Sequence, residues 1–307
     1  MNLSFFAALL LFTASAAAQG VKRLYVTNVD GDNRRYLVHE PRNYTGQTPR
    51  PVVFMLHGTT GNGNKFYNIS GWKELGDTLD ILTVFPSSWE YNIIEYGIPR
   101  RTTKWNCYPT SFTYAAGEVP RDDIKFLNRV LDEMIARYNV DTNRVYMAGF
   151  SNGGQMAFRC AVEMGNRLAA VVEASGSVTR DTTLVPQRLL PVTFQIGNSD
   201  DIYIGSLAPY GWTGDFPMNI DSMVRYIPPF GNTVRSHINT FALDTAFTLT
   251  SGPNFQLAVY PGLSGNTNNV FRFLLLKGMN HVYPNGVNYP FYGAAVHWAW
   301  MRQFTLH

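Results

Sequence analysis

The sequence predicts an α/β fold with a mostly parallel central sheet, and three observations carry the prediction. Apolar runs without polar alternation recur at residues 51–56, 81–86, 168–173, 191–196 and 271–276, as strands buried on both faces of a parallel sheet require. Helical segments fall between them: Ile124, Leu127, Leu131, Met134 and Tyr138 share one stripe over residues 122–138, and residues 293–304 read as a closing helix. The strand-like run 144–148 passes through Gly149-Phe150-Ser151-Asn152-Gly153-Gly154 into the helix-like run 155–162. A turn that tight needs positions two before and two after the serine nearly free of side chain, which glycine allows.

The remaining elements are read in the same way. Residues 24–27 and 35–39 form two early strands joined by the turn-rich Asp30-Gly31-Asp32-Asn33. Residues 202–254 show little periodicity and hold several glycines and prolines. They are expected to form long loops or a loop-rich cap over the top edge of the sheet. At 307 residues the chain can bury one large core, and residues 19–307 are expected to be one catalytic domain.

Composition narrows the class. Only 15% of residues are charged, 14% are aromatic and the net charge is +3 without a basic cluster. That argues against disorder and against nucleic acid as a partner. Residues 1–18 hold an apolar run followed by Ala16-Ala17-Ala18, the pattern of an export signal cleaved before Gln19. The mature chain is then expected to be secreted or periplasmic, with no membrane association. Export would place Cys107 and Cys160 in an oxidising compartment. One disulfide between them is an open expectation, a buried free Cys160 the alternative.

Strand, Gly-x-Ser-x-Gly and helix together are the context of the nucleophile elbow of α/β-hydrolases. A serine hydroxyl needs a histidine base oriented by a carboxylate, in the chain order Ser, acid, His. Ser151 is therefore the expected nucleophile. The acid is expected in the turn after strand 191–196, as Asp200 or, failing that, Asp201. Of six histidines, His281 follows the last strand in a loop of glycine, asparagine and proline, and is the expected base. Two backbone N–H donors should stabilise the oxyanion. Asn152 supplies one, and Thr59, with Thr60 the alternative, supplies the other from the Gly-rich loop after strand 51–56. Such chemistry needs no metal or organic cofactor.

Leu56-His57-Gly58-Thr59-Thr60-Gly61-Asn62, the stretch 141–154 with its Gly-Phe-Ser-Asn-Gly-Gly, the 197–200 turn and the 278–286 histidine loop resemble the secreted polyhydroxybutyrate depolymerase and feruloyl esterase family of α/β-hydrolases. The resemblance implies a serine carboxylesterase with Ser151, Asp200 and His281 as its triad. The ester substrate it implies is a hydroxycinnamoyl or acetyl ester of plant cell-wall polysaccharide, or a short polyhydroxyalkanoate. Asp201 stands where the family often has proline, and Tyr283 where it usually has tryptophan. Trp105, Trp212 and Tyr283 are candidates to line the site of an aromatic ester. A peptidase of the prolyl-oligopeptidase type and a non-catalytic carbohydrate-binding protein are the competing expectations.

Overall fold

The computed structural model describes residues 19–95, 97–107, 112–263 and 269–307. The expected export signal lies outside them. Strands β1 (Val21–Val29) and β2 (Asp32–Glu40) form a hairpin. Its turn places Asp30 and Gly31 at φ 53° and 91°, the left-handed pair that suits the twist of a two-residue hairpin. The apolar runs become β3 (Arg50–Leu56), β4 (Leu82–Pro86), β8 (Val140–Phe150), β9 (Ala170–Ala174), β10 (Val192–Gly197) and β13 (Val270–Leu276). Edge strands β11 (Thr248–Gly252) and β12 (Phe255–Pro261) complete a ten-stranded sheet. Its order is β1-β2-β4-β3-β8-β9-β10-β13-β12-β11. From β4 to β13 neighbouring strands run parallel, with antiparallel pairs at both edges.

Both faces are covered, which is why the central strands show no alternation in sequence. On β3, Val52, Phe54 and Leu56 enter one core while Val53 and Met55 enter the other. The first core receives α3 (Asp123–Arg137), α4 (Asn152–Glu163), α6 (Ile220–Tyr226) and α7 (Pro228–Phe241). The second receives α1 (Gly63–Ile69), α2 (Trp72–Leu79) and α8 (Gly293–Met301).

Two regions depart from expectation. Residues 202–254 are more helical than their glycine and proline content suggests, holding α5 (Asp201–Leu207), α6 and α7. Pro228 and Pro229 open α7, where a missing N–H costs nothing. Phe230, Val234, His237 and Phe241 then bury one stripe of it. The second region is a separate sheet ordered β6-β5-β7, from β5 (Trp89–Glu95), β6 (Ile98–Lys104) and β7 (Phe112–Tyr114), built on Tyr91, Ile93 and Phe112.

β3, β8, β10 and β13 end together at Leu56, Phe150, Gly197 and Leu276. The segments that leave them carry Thr59, Ser151, Asp200 and His281, at the edge where open α/β sheets hold their ligands.

Candidate active site

Ser151 occupies the sharp turn between β8 and α4 with φ 54° and ψ −123°. A non-glycine residue in that region stores about 1–3 kcal/mol of strain, so neighbouring structure must hold it. Its N–H donates to Ala174 O at 2.8 Å. A Cβ on Gly149 would lie 1.9 Å from Gly153 O, and one on Gly153 would lie 2.5 Å from Leu56 O and His57 O. One on Gly176 would lie 1.9 Å from Ser151 O. The glycines are thus required by close approach of backbones.

The structure brings Ser151, Asp200 and His281 together. Both Asp200 carboxylate oxygens lie 2.9 Å from His281 Nδ1. A carboxylate only accepts, so Nδ1 carries an N–H, and Nε2 is the nitrogen left to face Ser151. Nε2 in turn lies 2.9 Å from Ser151 Oγ. Asp200 is fully buried, and the His281 side chain is 13% exposed. Asp200 also caps α5 by accepting from Tyr203 N at 3.0 Å. The neighbouring Asp201 is exposed and, among the described residues, accepts only the His281 backbone N–H, at 3.2 Å. Asn198 ties the two loops: its Oδ1 accepts from Gly278 N at 2.6 Å and its own N–H donates to Leu276 O at 2.9 Å. A hydroxyl against an imidazole, itself held by a carboxylate, is the arrangement that acyl transfer requires.

The loop after β3 sits against this group. A Cβ on Gly58 would lie 3.1 Å from Ser151 Cβ. Thr60 N–H donates to Thr103 O at 3.1 Å, whereas the Thr59 and Asn152 N–H groups have no protein acceptor among the described residues. Asn152 is the first residue of α4, where backbone donors are orphaned and the helix dipole favours negative charge.

Some candidates have other duties. Trp105 is fully buried, and its Nε1 donates to His57 O at 2.8 Å. Tyr283 is 3% exposed, accepts from Trp72 Nε1 at 2.9 Å and lies 2.9 Å from His297 Nδ1. The structure therefore corrects the expectation that these two side chains line the cleft: their polar ends are consumed in packing. Trp212 alone of the three is only half-buried, with its Nε1 on Gly214 O at 2.7 Å. Of the two open readings of the cysteines, the structure has the unpaired one, with both as buried free thiols. Cys107 Sγ instead lies 3.0 Å from Asn152 Nδ2 and 3.5 Å from Gln155 Oε1. Burial pushes its pKa up to about 12, and that of Cys160 well above the ordinary value.

Sequence reasoning missed several supports. Asn152 uses its side chain to hold Trp105, with Oδ1 accepting from Trp105 N at 2.7 Å. His57 is fully buried. Its Nε2 accepts from Ser88 N at 3.0 Å and its Nδ1 donates to Gly58 O at 2.7 Å, so it pins the Thr59 loop as a neutral ring. Glu173 on β9 is buried between Ser177 Oγ and His237 Nε2, the latter at 3.1 Å, and so latches α7 to the segment supporting Ser151. None of these contacts has a local sequence signal.

Burial lowers the pKa of His57 from 6.5 to about 4 and that of His297 from 6.5 to about 3. Below pH 6.5 the unfolded chain therefore takes up protons that the folded chain refuses. Their contribution is whole above that pH and declines as pH falls toward about 4, by up to ~1.4 kcal/mol per pH unit for each ring. Urea unfolding between about pH 7 and pH 4.5 should show the decline, and His297→Gln should flatten it. An unchanged slope in that variant would contradict neutral burial of His297.

The family described as "Esterase PHB depolymerase" matches residues 41–185, a span containing Thr59, Ser151 and Asn152. Over that span the chain is similar to this esterase family. Relatives include a bifunctional acetylxylan esterase/xylanase of Neocallimastix patriciarum, 26% identical over 56% of this chain and 22% of its own length. Feruloyl esterase D of Neurospora crassa is 29% identical over 49% of this chain and 48% of its own. Poly(3-hydroxyalkanoate) depolymerase C of Paucimonas lemoignei is 23% identical over 69% of this chain and 48% of its own. The chain thus spans about half, or less, of the length of these relatives. The solved structure of acetyl xylan esterase from Aspergillus awamori matches with TM-score 0.57 and 15% identity, covering 91% of this chain and 99% of that one. An S-formylglutathione hydrolase from Agrobacterium tumefaciens matches with TM-score 0.53 and 12% identity, covering 94% and 96%. These two likenesses establish the α/β-hydrolase fold.

Proposed function

We propose that this protein is a secreted serine carboxylesterase that releases acetyl or hydroxycinnamoyl groups from plant cell-wall polysaccharide. The observation that carries the reading is the unbroken hydrogen-bonded line from Asp200 through His281 to Ser151, both links at 2.9 Å. Ser151 Oγ attacks the ester carbonyl while His281 Nε2 takes its proton. Asp200 holds the imidazole and stabilises its charged form. The Thr59 and Asn152 N–H groups receive the developing oxyanion. His281 then protonates the leaving alcohol, and water, deprotonated by the same imidazole, releases the acid and restores Ser151. The names of the acetylxylan and feruloyl esterase relatives support this substrate class, and the pattern of residues 1–18 supports export.

Product release from methyl ferulate, acetylated xylan and polyhydroxybutyrate tests it, with Ser151→Ala as the blank. Ferulate or acetate release by the wild type alone is expected. Release of hydroxybutyrate alone would reassign the protein to polyester breakdown.

A further inference from the structure

On β13, Phe271, Phe273 and Leu275 enter the main core, while Val270, Arg272, Leu274 and Leu276 face the α8 side. Arg272 interrupts an otherwise apolar row. It lines a cavity of about 630 Å³ walled by Phe255, Leu257, Leu274, Phe291 and Val296, a size typical of small-molecule sites. Arg272 stacks on Trp300 at 5.1 Å and has no carboxylate partner among the described residues. Lys277 adds a second cation to the lining. At the same register on β10, Thr193 Oγ1 is buried without a partner. A half-buried guanidinium with no counter-ion is costly, and burial lowers its pKa to about 10.

We propose that this cavity binds an amphipathic monocarboxylate, its apolar chain between the Leu274 and Phe291 walls and its carboxylate on Arg272. The pairing removes the cost of the lone guanidinium and fills the cavity with matching apolar surface. Ser151, Asp200 and His281 are absent from its lining, so the site is independent of the catalytic assignment.

Isothermal titration with decanoate tests the proposal, with decanol as the uncharged control. The full chain and Ser151→Ala should bind one equivalent with equal affinity, and decanol should bind about tenfold or more weakly. Arg272→Gln should weaken decanoate by a similar factor. Val296→Trp, at a position already 38% exposed, should fold, occupy the cavity and block binding while leaving p-nitrophenyl ester hydrolysis unchanged. Equal binding of decanol, retained affinity in both cavity variants, or loss of binding in Ser151→Ala would each overturn it.

Discussion

Ser151→Ala is expected to lower kcat for ester hydrolysis by about 10⁴- to 10⁶-fold while leaving KM and the unfolding midpoint nearly unchanged. The hydroxyl makes one described contact, with His281 Nε2, and the turn that positions it is held by backbone. Ser151 N–H on Ala174 O and the closely packed Gly149, Gly153 and Gly176 remain in the variant. Lost activity with intact stability would therefore isolate the nucleophile from the scaffold. Initial rates with a p-nitrophenyl acyl ester and a thermal melt on the same preparation check both halves. Activity within tenfold of wild type would remove Ser151 from the mechanism.

The largest stability effect is expected from Asp123→Ala. Arg34 and Asp123 form an ion pair at 2.6 Å with side chains 2% and 0% exposed. Asp123 also accepts from Asn106 N at 2.7 Å, and burial raises its pKa. Removing the carboxylate strands a buried guanidinium, which costs about 3–5 kcal/mol, a large part of the ~5–15 kcal/mol that holds a domain folded. The loop 105–107 loses an anchor at the same time, and that loop contacts Asn152. The variant should therefore show reduced kcat even where it is fully folded. Replacing both partners, as Arg34→Met with Asp123→Leu, should recover much of the stability because no charge is left alone. Urea unfolding of wild type, single and double variants measures this, and a single-variant loss below about 1 kcal/mol would contradict it.

What could be read from the chain was what is local. The passage from β8 through Gly149–Gly154 into α4 lies within one stretch, so its glycines and periodicity announce it directly. The Asp200 and His281 loops were legible because each follows an apolar strand. Asp200 was preferred over Asp201 from the sequence, and the structure places a buried Asp200 against His281 while Asp201 is exposed. Trp105 and Tyr283 were misassigned because sequence does not say which way an aromatic side chain turns. The roles of His57, Glu173 and His237 arise from contacts across different elements, such as His57 with Ser88 and Glu173 with His237. Within 202–254, α7 escaped notice because Pro228 and Pro229 read as breakers, although at a helix start they are compatible.

The three members of the Ser151 group are far apart along the chain. The Ser151–His281 contact spans 130 residues and the Asp200–His281 contact spans 81. β13, which delivers His281, must insert between β10 and β12 before the histidine arrives. A nascent chain emerging amino-terminus first would thus hold Ser151 and Asp200 while His281 was still unmade. Long-range closures of this kind come late and slowly. Recovered hydrolysis during renaturation should consequently lag the return of helical signal, making turnover a clock for the final step of assembly.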